Sequence, residues 1–214
     1  MKIISVVQQK GGVGKTTIAV NISGEFCQMG ARVNLFDADA QQSAVAWALP
    51  GRLPFPVHPA LFSVAFPIAW AKAIFEHNGD IAVIDTSPGV GALMSACVEL
   101  SDLILLPCGP SSIELFALRE TVEAINEVKR RLGRPAPRVL ILPSRVDSST
   151  DEGRQLKDEL LSFGGEIGTT LPFDMNLVRA FATGETVATY AKDSPADLGM
   201  KALGDEIVRS FSWT

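Results

Sequence analysis

The chain has 214 residues, 47% of them hydrophobic and 20% charged, with a formal net charge of −5. That length and composition suit a single α/β domain over residues 1–214 with a sizeable core. The acidic balance argues against a broadly basic nucleic-acid protein, though not against one local basic patch. Met1-Lys2 runs straight into an apolar stretch, so no secretory leader is expected. The most apolar region, 59–75, is interrupted by Ser63, Pro67 and Lys72 and reads as loop plus buried helix rather than as a membrane span. Cys27, Cys97 and Cys108 lack CxxC spacing, and His58 and His77 lie in no ligand-like cluster. Reduced, mostly buried thiols are expected.

In chain order, residues 3–7 (Ile-Ile-Ser-Val-Val) read as a buried strand and 18–26 as a helix. Between them stands Lys10-Gly11-Gly12-Val13-Gly14-Lys15-Thr16-Thr17. Strand, glycine-rich turn and helix are the context a phosphate loop needs. The glycines let backbone N–H groups converge on an anion, and the helix start adds unpaired N–H groups and its positive dipole end. Lys15 reaches the β- and γ-phosphates in such a loop, and the Thr16 hydroxyl sits on Mg²⁺.

The common pattern G-x-x-x-x-G-K-[ST] would place a glycine at position 9, where the chain has Gln9; it has Lys10-Gly11-Gly12 instead. This octet is the deviant Walker-A form and resembles the ParA/MinD family of ATPases. The resemblance implies that residues 10–17 bind ATP. It also implies that Lys10 crosses a homodimer interface to the partner's nucleotide and acts catalytically with Lys15.

Residues 33–36 form the next short buried strand, with Asp37 and Asp39 at its carboxyl end, the end at which α/β sheets bind ligands. Two carboxylates two residues apart on extended backbone point the same way. The stretch is similar to the family's D-x-D-P-Q segment, with Ala40 in place of proline. The resemblance makes Asp39 the residue that positions or deprotonates the attacking water and Asp37 a supporting group near Mg²⁺. Capping of the following helix is the structural alternative for these acids.

Residues 44–49 predict a short helix, 53–59 with three prolines an edge segment, and 68–77 a helix with Trp70 and Phe75 as core. Residues 81–85 are a central strand ending in Asp85, a Walker-B pattern in which Asp85 holds Mg²⁺ through a water. Asp85-Thr86-Ser87-Pro88-Gly89 resembles the family's switch-II segment, where Gly89 senses the γ-phosphate and Pro88 belongs to the same switch. A relative bridges an iron–sulfur cluster with cysteines after this strand. Cys97 follows it, but Cys108 ends a different strand, so no cluster is expected.

Helix 92–100, strand 102–107 and a long helix over 111–132 follow, the last apolar at Ile113, Phe116, Ala117, Ala124, Ile125 and Val128. Its basic end, Lys129-Arg130-Arg131, suits a helix C-terminus, with Gly133 at C′. Strand 138–143 leads to Ser144 and Arg145, where the resemblance places base recognition. Family members often carry Asn where this chain has Ser144. Asp147 sits where a GTPase's N-K-x-D acid would, without its Asn or Lys, and the resemblance favours ATP over GTP.

Residues 151–163 predict a helix and 169–172 the end of a last strand. The resemblance makes Pro172, Phe173 and Asp174 the start of a segment that closes over the base and forms part of the dimer face. Residues 196–211 predict the closing helix, apolar at Leu198, Ala202, Leu203, Ile207 and Phe211.

The alternation of strands and helices predicts a doubly wound, mostly parallel sheet flanked by helices, and the resemblance assigns it to the P-loop NTPase type. It implies an ATP- and Mg²⁺-dependent switch that dimerises in the ATP state and positions plasmid or chromosomal DNA or other cargo. A stimulating partner, a ParB-like centromere-binding protein or a cargo adaptor, would trigger hydrolysis. Non-specific DNA binding would fall to Arg179, Lys192, Lys201 and Arg209, although a second expected arginine position is Pro195. The expected location is cytoplasmic and nucleoid-associated. The tail after 205 has too few cations for anionic lipid, and Trp213 is a weak interfacial hint. Two alternatives are a dethiobiotin-synthetase-like metabolic enzyme, for which no inserted substrate-pocket segment is seen, and a MinD-like membrane-surface ATPase.

Overall fold

A computed structural model describes residues 1–211; Trp213 lies outside the described residues. Seven parallel strands form one sheet in the order β3-β2-β4-β1-β5-β6-β7. They are β1 (Lys2–Val6), β2 (Val33–Asp37), β3 (Val57–Pro59), β4 (Ile81–Asp85), β5 (Leu103–Cys108), β6 (Arg138–Pro143) and β7 (Glu166–Ile167). The helices are α1 (Lys15–Gln28), α2 (Ser43–Ala48), α3 (Pro67–Phe75), α4 (Ala92–Leu100), α5 (Ser112–Arg131), α6 (Asp151–Leu161), α7 (Met175–Thr183), α8 (Val187–Tyr190) and α9 (Pro195–Ser210).

Strand side chains alternate between faces, so each central strand feeds two cores. Ile81 and Val83 join a layer built with α1, α2, α7, α8 and α9. Ala82 and Ile84 join a second layer built with α3, α4, α5 and α6. Chain order doubles back around β1, which lies between β4 and β5. That places the β1–α1 turn and the carboxyl ends of β2, β4 and β6 along one edge of the sheet, where parallel α/β sheets bind ligands.

Five expectations change. Phe75 is exposed, as is Ile68 beside it, because α3 touches the sheet through one narrow stripe, Trp70 and Ile74. In α5 the buried stripe is Glu114, Ala117, Leu118, Thr121, Ile125 and Val128, which leaves Ile113 and Phe116 at the surface; in α9, Leu198 is likewise exposed. Gly133 does not take a left-handed C′ conformation: Leu132 ends α5 in extended backbone. Arg134 instead donates to the carbonyls of Glu99 and Ser101 and draws the chain onto the end of α4. The last strand is Glu166–Ile167, not 169–172. Past it, the Thr169 N–H and hydroxyl both donate to Glu206 at 2.8 Å, the Leu171 N–H returns to the Pro143 carbonyl of β6 at 2.7 Å, and Pro172 forms an isolated bridge with Val146.

The α1–α9 contact carries a buried acid, Glu25, whose Oε1 has no hydrogen-bond partner among the described residues. Burial first, then the nearby Asp197 carboxylate, pushes Glu25 up to about 7, against the pull of Lys201. The folded chain therefore holds a proton that the unfolded chain releases near pH 4.5. That contribution is fully present below pH 4.5 and is lost as pH rises through about 7. Glu25→Gln is expected to flatten this dependence, gaining about 1–2 kcal/mol over the wild type on moving from pH 5.5 to 8.5. Urea unfolding at the two pH values measures it, and parallel curves for the two proteins would contradict it.

Candidate nucleotide site

The β1–α1 turn is shaped by two glycines in left-handed backbone, Gly12 (φ 76°) and Gly14 (φ 94°), conformations that a Cβ makes costly. Gly14 is the N-cap of α1 and offers no capping side chain. The first N–H groups of α1 therefore stay available to an anion, together with the helix dipole. The Lys15 ammonium is buried and donates to the Lys10 carbonyl at 3.2 Å, spanning the loop where a phosphate would lie. Burial lowers its pKa, while Asp85 and then Asp39 raise it. Among the described residues, the Lys10 ammonium has neither an ion-pair nor a hydrogen-bond partner.

Asp37 and Asp85 are register partners on adjacent strands, and both are buried. Their roles differ. Asp37 accepts from the N–H groups of Asp39 (3.1 Å) and Val45 (3.0 Å), so its carboxylate is consumed in building the β2–α2 turn. Burial raises its pKa and these bonds oppose the rise. The two acids do not point alike, because Asp39 lies beyond the strand in the turn that Asp37 holds. Asp39 lines a cavity of about 520 Å³ with Gly12, Gly14, Lys15 and Thr16, and among the described residues its carboxylate accepts a hydrogen bond from the Gln41 N–H alone, at 2.9 Å.

Among the described residues, neither buried carboxylate oxygen of Asp85 accepts a hydrogen bond of ordinary geometry. Burial first, with Asp37 and Asp39 adding repulsion, pushes it up to about 7; the Thr16 hydroxyl and Lys15 pull it down. An orphaned buried carboxylate beside a helix-N-terminal threonine hydroxyl fits a hard cation with oxygen ligands, which is the chemistry of Mg²⁺. Following Asp85, the Thr86 hydroxyl donates to the Val6 carbonyl at 2.8 Å and ties the switch segment to β1. Pro88 packs against Gly11, and Gly89 takes φ 131°.

A second cavity of about 110 Å³ adjoins the first along Gly14 and Thr17, and Ser144, Arg145, Pro172, Phe173 and Asp174 line it together with Val13. The side chains expected to read a base are mostly occupied. Ser144 is buried and donates to the Leu142 carbonyl at 3.0 Å. Arg145, in left-handed backbone (φ 55°), pairs with Glu114. Asp174 caps α7 through the Asn176 N–H (2.8 Å) and accepts from the Ala196 N–H (3.2 Å) at the start of α9. Phe173 is exposed at the rim.

The four cations assigned to DNA do not form one patch. Arg179 and Lys192 are exposed beside α7 and α8. Lys201 is held by Asp197 at 2.7 Å and Asp193 at 3.4 Å. Arg209 lies at the far end of α9, which is about 24 Å long, near the cavity that Val208 and Phe211 line with Met1 and Lys2 at the amino edge of the sheet. Cys97 and Cys108 are buried, with thiols pushed up to about 12 by burial.

Sequence reasoning missed the groups that hold the loops. Gln8, buried directly beneath the phosphate loop, donates to the Pro107 carbonyl and accepts from Thr121 at 2.6 Å and from the Gln9 N–H at 2.8 Å. Glu114 holds both Arg145 and the Gly109 N–H (2.7 Å). Asn21 of α1 accepts from the Val187 N–H at 2.7 Å and fastens α8. A polar pair at the end of an apolar strand, Gln8-Gln9, was the one local signal for any of these.

The family described as the CobQ/CobB/MinD/ParA nucleotide binding domain matches residues 4–187. The chain is 25% identical over 236 residues to the chromosome-partitioning ATPase Soj of Thermus thermophilus, covering 96% of this chain and 94% of that one. It is 33% identical over 129 residues to maintenance of carboxysome distribution protein A of Halothiobacillus neapolitanus, covering 59% of each. The fold matches the septum site-determining protein MinD from Pyrococcus horikoshii OT3, solved with Mg-ADP, at a TM-score of 0.76 and 17% identity, over 99% of this chain and 97% of that one.

Proposed function

We propose, given that this chain belongs to the CobQ/CobB/MinD/ParA nucleotide-binding family, that it is an ATP-driven dimerising switch that positions DNA or another large cargo. As a ParA/MinD-type enzyme it hydrolyses ATP with Mg²⁺. Mg²⁺ neutralises phosphate charge when bound, and Thr16 and Asp85 are the residues that would hold it. Gly11, Gly12, Val13 and Gly14 bind the phosphates with backbone N–H groups, and Lys15 and Thr17 complete that cradle. Asp39 orients and deprotonates the water that attacks the γ-phosphate in line. Gly89, hinged by its positive φ, reports the γ-phosphate to the segment after Pro88.

The observation that carries dimerisation is the Lys10 ammonium, which has no partner among the described residues, at the mouth of a loop whose own phosphates Lys15 already serves. The Lys10 side chain then completes the site of a second subunit. Across that face, ATP binding would join two chains, each a single domain over its whole length. A basic stimulating partner, ParB-like or a cargo adaptor, would trigger hydrolysis and release. Arg179 and Lys192 supply the free cations for sequence-independent DNA binding. Among the described residues, no helix is long and apolar enough to cross a membrane.

Sizing by light scattering with ATP, ADP and no nucleotide tests the reading. The wild type is expected to double in mass with ATP only. Lys10→Ala is expected to bind ATP within about threefold of the wild type and stay monomeric. DNA retention is expected only with ATP and to fall steeply with salt. A wild type that stays monomeric with ATP, or holds DNA equally without it, would overturn the reading.

A further inference from the structure

The chain has two histidines, 19 positions apart in sequence, and the fold brings them into contact outside the two cavities that the phosphate loop lines. His58 stands on the edge strand β3 and His77 just beyond α3. Their ring centroids are 4.2 Å apart with a 54° tilt. Both rings pack on buried Phe36, at 5.2 Å and 5.1 Å, and both line one cavity of about 340 Å³.

We propose that His58 and His77 form a two-imidazole site for a borderline transition-metal ion of the zinc, copper or nickel class. The hydrogen bonds around the rings set which nitrogens are free. Asn34 donates its amide N–H to the Asn78 carbonyl at 3.1 Å, which leaves its Oδ1 as an acceptor. His58 Nε2 lies 2.9 Å from that Oδ1 and therefore carries the proton. His77 Nδ1 lies 2.9 Å from the Ala73 carbonyl and carries its own. The lone pairs left over are on His58 Nδ1 and His77 Nε2. Each ring thus gives one N–H to a carbonyl oxygen and keeps its other nitrogen unprotonated, the arrangement that orients metal-binding histidines.

The bracket behind His58 is tightly built. Asn34 is a buried amide between the apolar Val33 and Leu35, and its Nδ2 lies 2.7 Å from where a Cβ on Gly79 would be, so a side chain there would displace it. The spacing is close to what an ion requires. With each nitrogen about 2.0–2.1 Å from the metal, two imidazoles hold their ring centres roughly 4.5 Å apart at a right angle and roughly 5.2 Å apart at the tetrahedral angle of zinc. The observed 4.2 Å needs an opening of about 1 Å to seat zinc. Imidazole nitrogens select zinc, copper and nickel over magnesium and calcium, which separates this site from the phosphate site. The remaining positions on the ion are open to water or to a ligand brought by a partner.

Zinc chloride titrated into the chelator-treated 214-residue chain, without nucleotide, tests the assignment. Calorimetry and imidazole ¹⁵N shifts are the readouts. The wild type is expected to bind one equivalent saturably, shifting the His58 Nδ1 and His77 Nε2 resonances. His58→Gln and His77→Gln are each expected to weaken binding at least about tenfold, one ligand's worth of affinity. A Cys27→Ser variant, removing the half-exposed thiol, is expected to bind as the wild type does. Zinc bound equally by the double histidine variant, or absence of a shift at either ring, would overturn the site. ATP hydrolysis by the histidine variants at the wild-type rate checks that they remain folded, and it separates failure here from failure of the nucleotide reading.

Discussion

Replacing Lys15 with alanine is expected to weaken ATP binding at least about 100-fold, close to 3 kcal/mol, while leaving the stability of the nucleotide-free chain within about 1 kcal/mol. The two halves of that result come from one feature. Among the described residues, Lys15 is a buried ammonium whose only hydrogen bond is to a neutral carbonyl, Lys10 O at 3.2 Å. Burial lowers its pKa despite the attraction of Asp85 and Asp39. A lowered lysine pKa means that the folded chain holds the charged form less readily than the unfolded chain does, so removing the charge does not destabilise the empty fold. With phosphates in the loop the same ammonium meets full negative charge in a site sheltered from water, where charge-assisted bonds are strongest. Calorimetry of ATP binding and urea unfolding of the free protein measure the two halves. A variant that binds ATP normally, or that loses several kcal/mol of stability without nucleotide, would show that Lys15 serves the fold instead.

Asp39→Ala is expected to separate binding from hydrolysis. A positioned general base contributes about 10²–10⁴-fold to rate, so turnover should fall at least about 100-fold while Mg·ATP binding stays within a few-fold. The ATP-bound dimer should persist correspondingly longer. The structural cost is small, since Asp39 gives up one turn hydrogen bond to the Gln41 N–H, worth about 1 kcal/mol. Asp37 is the control. It is fully buried and accepts two backbone N–H bonds, so Asp37→Ala should lower stability by about 2–4 kcal/mol and damage binding as well as turnover. Single-turnover hydrolysis and sizing with ATP read the difference. Asp39→Ala turning over at the normal rate would remove the base assignment.

The contrast between Asp37 and Asp39 shows how far the sequence could be read. Both acids stand at a strand end, and their spacing places them beside the phosphate loop. Which of them faces the cavity depends on Asp37 closing a turn onto Val45, six residues beyond Asp39 in sequence. The same limit applies to the base pocket. Ser144 and Arg145 follow the apolar run of β6 directly, but that one donates to Leu142 and the other pairs with Glu114 follows only from how β6, α5 and the loop after β5 meet.

Local chemistry alone determined the parallel sheet, the phosphate loop and the acid ending β4. Runs of apolar residues, glycines at left-handed positions and an N-terminal lysine–threonine pair act over fewer than about ten residues, so their meaning survives without the rest of the chain. Tertiary structure decided the breadth of each buried face, leaving Ile68, Phe75, Ile113 and Phe116 outside. It also split Arg179 and Lys192 from Arg209 and bound Lys201 to two acids. Above all it joined His58 to His77, which the sequence shows as two unrelated residues. Sequence spacing carries no information about such contacts, because they depend on where an edge strand and the end of a later helix dock on the same buried phenylalanine.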